Sequence, residues 1–298
     1  MNKLFRRLLA PFATLLALGP AASAVARPVQ AAKPALWEIS DPDTTIYLFG
    51  TIHLLPEQLR WRTPAFDNAV AQSQQLVVET IVDQQNPQSI AAAEMSLVFK
   101  RGLPPIAHRV PSAKLPKLRA AIAKSGVPEK VFDQMKTWLA FVQLAGVQFR
   151  DMGLKGTSGP EEILRQQFLS AKKPIGELET NVEQFTYFDR MSEKSQRQLL
   201  EGALEEGDAN KEFGGMVAAW TRGDVKEIAV TFNRDLSATP EVRDLLLRQR
   251  NANWAKWIEQ RMAQPGSVLV AVGAGHLAGK GSVIDLLKQD GHQVRRLQ

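Results

Sequence analysis

The 298-residue chain has no cysteine, only two tyrosines and only four histidines. Without cysteine there can be no disulfide, no thiolate nucleophile, no thiolate metal ligand and no acylated lipoprotein anchor, so core packing must hold the fold. A long apolar run is missing too. The most apolar segment, LLAPFATLLALG, is broken by Pro11 and Gly19 and falls short of the ~20 residues that cross a bilayer. There is no low-complexity tract and no convincing internal repeat. A 44% hydrophobic composition instead fits a globular protein with a sizeable core.

The first residues differ from the rest. MNKLFRR is basic, a short apolar run follows, and PAASAVA supplies small residues before Arg27. This is the pattern of a secretory signal peptide over residues 1–26, cleaved after Ala24 or Ala26. Cleavage removes Lys3, Arg6 and Arg7 and no acid, so the formal charge falls from +6 to +3. The remaining basic residues are interspersed with acids along stretches such as RDLLLRQR and LEEGDANKE, which reads as solvated helix faces and gives little reason to expect a nucleic-acid partner. The expected location is the periplasm, with secretion as the alternative, and no stable membrane span after cleavage. Residues 27–34 read as a short linker and 35–298 as one domain.

Along that domain, ALWEIS, the turn DPDT and TIYLFGTIH read as a β-hairpin. TPAFDNAVAQSQ carries Thr63 as a cap and Pro64 at the first helical position. QLVVETI is a short buried strand ending at Glu79. From about Asn86 to Gln264 the pattern is mostly helical, broken by one strand-like run in KKPIGELET that stops at Glu179. Thr239 and Pro240 open a long helix that ends at Pro265-Gly266, and SVLVAV, GKGSVIDLLKQDG and HQVRRL close the chain as a β-α-β unit. Strands at both ends around a helical middle imply an α/β fold with a mixed central sheet, built from the N- and C-terminal segments and carrying a large helical layer.

Two of the four histidines share one context. His53 in GTIH and His276 in GAGH each end a β-branched run, three residues after Gly50 and Gly273. A glycine there allows a sharp turn or a close backbone approach. In α/β sheets the crevice beyond the carboxyl ends of the strands is where ligands bind. Two imidazoles and the Glu79 carboxylate on one rim would make a three-ligand site for a divalent first-row metal. Such an ion acidifies bound water and makes hydrolysis feasible at neutral pH. Without a metal, the same His and Glu residues would serve as a general base and its orienting partner. One histidine at a strand end is more often structural; it is the repeated context that points to function. His108 and His292 lack it and read as surface or loop residues. GAGHLA matches a relaxed dinucleotide fingerprint, and HLAGKGS resembles a phosphate loop. The first lacks the acidic residue and the further βαβ units; the second has Gly281 where Ser or Thr is needed.

The segments LFGTIHLLP, LVVET, KKPIGELET, AWTRGD, LLLRQRNANWAKWIEQRM and VLVAVGAGHLAGKGSVIDLLKQDGHQVRRL, in this order, resemble the TraB/PrgY/GumN family in its GumN-like branch. That family is similar to Tiki-type metalloproteases and, more distantly, to erythromycin esterase-like and ChaN-like proteins. The resemblance implies a hydrolase acting on a peptide or a small amide or ester, with a divalent ion (manganese, cobalt or zinc) on His53, Glu79 and His276. It adds Glu179 as a proton carrier and Arg250 as a group that steadies an anion. One position departs from the pattern: where relatives often carry Gly-x-Asp, this chain has SGPEEIL, with Glu161 nearest. Ser158 and Glu161 have capping-box spacing, so the segment also reads as a plain helix start. The rival functions are a binding module for haem, a peptide or a polysaccharide precursor, and a role in envelope assembly that makes no demand on either histidine.

Overall fold

The computed structural model describes residues 32–81, 92–154, 159–205, 209–237 and 239–298. The expected signal peptide and most of the linker lie outside the described residues. The hairpin is as expected: β1 (Leu36–Ser40) and β2 (Thr44–Thr51) pair antiparallel. Asp41 closes the turn by accepting the N–H groups of Asp43 at 3.2 Å and Thr44 at 2.7 Å, the local carboxylate turn that aspartate favours. α1 (Pro64–Gln72) starts as the sequence predicts, with the Thr63 hydroxyl accepting from the Phe66 N–H at 3.1 Å.

β3 (Gln75–Val78), β4 (Ile175–Glu177), β5 (Gly266–Gly273) and the two-residue β6 (Arg295–Arg296) complete a six-stranded sheet in the order β4-β3-β5-β2-β1-β6. Neighbours from β4 through β2 run parallel, while β1 and β6 are antiparallel additions at one side. The fold is therefore α/β with a mixed sheet. The closing β-α-β unit is present in the same sheet, with its last strand pairing antiparallel with β1 at the far edge rather than directly with β5.

Alternation along the strands sends side chains to two cores. On one face Tyr47, Phe49, Leu76 and Leu269 pack with Trp61, Phe66, Phe168 and Trp220; Phe49 and Phe66 lie 4.4 Å apart between ring centres. On the other, Trp37, Ile46, Leu48, Val77, Val268 and Val270 meet Trp254, Ile258 and Leu287. The helical middle, α2 (Ala92–Val98), α3 (Leu115–Ser125), α4 (Glu129–Phe132) and α5 (Thr137–Asp151), is joined further on by α6 (Pro160–Ser170), α7 (Asn181–Asp189), α8 (Glu193–Gly202), α9 (Ala209–Thr221) and α10 (Val225–Ser237). Its own core centres on Leu118, Phe132, Leu144 and Leu200.

The long helix expected after Thr239 is not uniform. α11 (Pro240–Arg243) passes through a π-helical stretch, Asp244–Gln249, into α12 (Arg250–Met262), and the Thr239 side chain makes no capping bond. Such π segments recur next to functional sites, and this one ends immediately before Arg250. α13 (Val283–Gln289) then covers the sheet beside α12.

Candidate functional site: a histidine and carboxylate rim at the strand ends

Register places the functional side chains. Thr51 of β2 is level with Gly273 of β5, Val78 of β3 with Ala271, and Val78 with Glu177 of β4. Since these four strands run parallel, their carboxyl ends share one edge. In sheet order they deliver Glu179, Glu79, His276 and His53. Beyond the paired residues, the Glu179 N–H still donates to the Glu79 carbonyl at 3.0 Å.

Both glycines of the repeated motif serve close approach rather than a turn; neither has a positive φ. A Cβ on Gly50 would meet Ala274 Cα at 3.1 Å, and one on Gly273 would meet Glu79 Oε1 at 3.1 Å. Bare backbone at Gly273 lets that oxygen accept the Gly273 N–H at 2.7 Å. The Trp220 indole of the AWTRGD segment donates to the Gly50 carbonyl at 2.7 Å, which anchors the strand end leading to His53.

Arg250 is the hub. Its Nη2 donates to Glu79 Oε2 at 2.8 Å and Glu179 Oε1 at 2.6 Å, and its Nε reaches both Glu179 oxygens at 3.0 Å. Nη1 donates to the Leu246 carbonyl at 3.3 Å and lies 3.2 Å from His276 Nε2. The guanidinium also stacks 4.7 Å over the Trp254 ring. All five guanidinium N–H groups thus have partners inside the protein, and the residue is buried. A side chain so occupied has no donor left for a substrate anion in this arrangement; it orients Glu79, Glu179 and His276 instead.

The tautomer of His276 follows from its neighbours. Asn251 Nδ2 donates to the Gly281 carbonyl at 2.8 Å, so Asn251 Oδ1 is the atom 2.7 Å from His276 Nδ1. Nδ1 therefore carries the hydrogen, and Nε2 offers a lone pair toward Arg250. Burial pushes the His276 pKa down to about 3, with Arg250 and His53 adding to the drop and Glu79 opposing it. The imidazole is neutral.

His53 differs. Its side chain is 66% exposed, and its Nδ1 lies 2.7 Å from Glu161 Oε1. The Glu161 charge beside it raises its pKa to about 9, although solvent and salt weaken such an exposed pair. The same carboxylate oxygen accepts the Thr51 hydroxyl. This corrects the capping-box expectation. The cap of α6 is Gly159, without a side-chain bond, Ser158 lies outside the described residues, and Glu161 turns to the rim.

The two buried carboxylates respond differently to the shared guanidinium. Burial alone would raise Glu79, but Arg250, the two histidines and the Gly273 N–H outweigh it and bring its pKa to about 2. Glu179 is pushed up by burial, only partly offset by Arg250, and its neighbour Glu79 adds to the rise.

A divalent ion finds both support and competition here. Two carboxyl groups, Glu79 and Glu179, share one guanidinium, a third, Glu161, pairs with His53, and both imidazoles have Nδ1 committed elsewhere. Against this, Arg250 points into the His276 lone pair and Glu79 Oε2. Among the described residues no group of three His, Asp or Glu side chains is arranged to hold an ion. The donor types suit a divalent metal; Arg250 would have to release Nε2.

The strand-end pattern singles out His53, Glu79 and His276, the family resemblance adds Glu179 and Arg250, and the structure places all five at this edge. It missed the contacts of Thr51, Glu161 and Trp254. The i, i+4 spacing of Arg250 and Trp254, next to Asn251, is the signal that places all three on α12.

Fold and site together define an α/β protein with a histidine, carboxylate and guanidinium rim beyond its parallel strands. The chain belongs to the TraB/PrgY/gumN family, whose profile matches residues 35–296. The uncharacterized protein YbaP of Escherichia coli (strain K12) is 26% identical over 182 residues, covering 61% of this chain and 67% of that protein. YbaP of Shigella flexneri gives the same figures. No solved structure matches.

Proposed function

We propose that the rim is the active centre of a periplasmic hydrolase that cleaves an amide or peptide bond. A divalent ion, manganese, cobalt or zinc, would be held by His53, Glu79 and His276. The observation that carries this reading is the sheet order: neighbouring strands β3, β5 and β2 bring one carboxylate and two imidazoles to a common edge in register. When bound, the ion supplies an acidified water and polarises the scissile carbonyl.

The rest is work for the chain's own residues. Asn251 fixes the His276 tautomer, so that Nε2 carries the lone pair an ion would take once Arg250 releases it. Arg250 keeps Glu79 ionised and aimed at the rim. Glu179, raised by burial, is the carboxyl suited to take and return a proton. The basic, apolar and small-residue sequence of the first 26 residues supports export, and among the described residues no helix is long and apolar enough to cross a membrane.

The test is elemental analysis of the untagged mature protein, comparing wild type with His53→Ala and His276→Ala. Stoichiometric metal lost in both variants, together with loss of cleavage across a peptide and amide library, is the expected result. Wild type that takes up none of the three ions, alongside a His53→Ala variant that cleaves normally, refutes the reading. A second reading draws on the exposed His53 imidazole paired with Glu161: metal-free acid–base hydrolysis. Full activity of chelator-treated wild type, lost in His53→Ala, selects it.

A further inference from the structure

We propose that Glu161 is a positioning residue of the rim: it holds the His53 ring by Nδ1, so that Nε2 is the nitrogen presented to an ion or substrate. Four independent features converge on that contact. The Nδ1 to Oε1 distance is 2.7 Å. The hydroxyl of Thr51, the buried last residue of β2, bonds the same oxygen and fixes the carboxylate from the strand side. Gly159 lies so close to the first motif that a Cβ there would stand 2.0 Å from the His53 carbonyl oxygen. α6 starts at Pro160, whose ring pre-sets the first helical turn, and Leu164 and Phe168 fix the helix in the core. Among the described residues His53 Nε2 has no side-chain partner.

Helix position alone does not force this arrangement. The neighbouring Glu162 has the same chemistry and spends it on Arg165 at 2.8 Å and Gln166 at 2.8 Å. Of two adjacent glutamates, one makes a local pair and the other crosses to the histidine. A carboxylate behind an imidazole fixes the ring and strengthens its second nitrogen as a ligand or base, and loss of such a partner typically lowers metal affinity 10–100-fold.

The proposal rests on His53 acting at the rim, but its first test does not. In the metal-free full chain, the ring N–H proton of His53, assigned by its loss in His53→Ala, should be shifted downfield and protected from exchange in nuclear magnetic resonance spectra at low temperature. Glu161→Leu should abolish that signal, Glu161→Asp should retain it in part, and the control Glu162→Gln should leave it unchanged, with circular dichroism confirming that each variant folds. In cobalt titrations Glu161→Leu should bind roughly 10–100-fold more weakly than wild type, with Glu161→Asp recovering part of the loss. A protected proton that persists in Glu161→Leu, or equal cobalt affinity in folded Glu161→Leu and wild type, overturns the positioning role. Wild type that takes up no cobalt defeats the metal reading instead, and the N–H signal still decides Glu161.

Discussion

Replacing Arg250 with methionine is the sharpest perturbation the structure offers. Methionine keeps an apolar stem against Trp254 but removes every donor to Glu79, Glu179, His276 and the Leu246 carbonyl. Removing one partner of a buried pair leaves an uncompensated charge and costs about 3–5 kcal/mol. Linkage gives a similar size. The Glu79 pKa falls from its ordinary 4.5 to about 2 in the folded protein, which corresponds to about 3 kcal/mol of stability at neutral pH. A carboxylate depressed in this way stabilises the native state above about 4.5 and loses that contribution as pH falls toward 2. Glu179, raised by burial, has the opposite sign: its contribution is present at low pH and lost as pH rises through its folded value. In Arg250→Met both carboxyls rise, so protonation relieves them and the defect should shrink on acidification. Urea unfolding should therefore show a loss of about 3–5 kcal/mol at pH 7, roughly 10 °C in melting temperature for a chain of this size, and a clearly smaller loss near pH 4. A loss under about 1 kcal/mol at pH 7, or the same loss at both pH values, would refute the hub role of Arg250.

Two further substitutions test the supporting contacts. Asn251→Leu removes the acceptor 2.7 Å from His276 Nδ1 and frees the tautomer, so cobalt affinity should fall roughly 10–100-fold; unchanged affinity in titration would show that the amide does not set the ligand nitrogen. Gly159→Ala places a methyl group 2.0 Å from the His53 carbonyl oxygen, so denaturant melts should show about 1–3 kcal/mol of destabilisation, with the protected His53 N–H lost as Glu161 is pushed back. A variant as stable as wild type would mean that the close approach is not required.

The hairpin, α1 and the β-branched runs of β3 and β5 were legible because period-two alternation and capping are local signals. So were His53, Glu79 and His276, which end such runs. Sheet order was not legible. β5 enters between β2 and β3, and nothing in either neighbour's sequence specifies that partner. The role of Glu161 was hidden for a related reason: a carboxylate two residues into a helix can bond locally or cross to another element, and only tertiary placement chooses. Arg250 is a third case. The resemblance names it as a group that steadies an anion, but its burial follows from α12 lying over the strand ends, where two carboxylates compensate it.

The repeated Gly-x-x-His pattern is best understood by separating its two ends. Its glycines serve the packing of the strand ends on one another: Gly50 makes room for Ala274 of the second motif's own turn, and Gly273 makes room for the Glu79 carboxylate. Each motif thus depends on an element outside itself, and a larger residue at either glycine would separate the pieces that form the rim. The histidines then diverge. His276 sits in a buried 3-10 turn, Ala274–Leu277, with Trp254 against its ring at 4.4 Å and its pKa lowered to about 3. His53 stands in an open loop against a carboxylate, with its pKa raised to about 9. Like residues in like motifs therefore have their pKa values displaced in opposite directions. In the proposed hydrolase the buried, permanently neutral imidazole is the better fixed ligand. The exposed one is the group whose proton must leave before a cation can take its place, so uptake of an ion at the rim should release a proton to solvent.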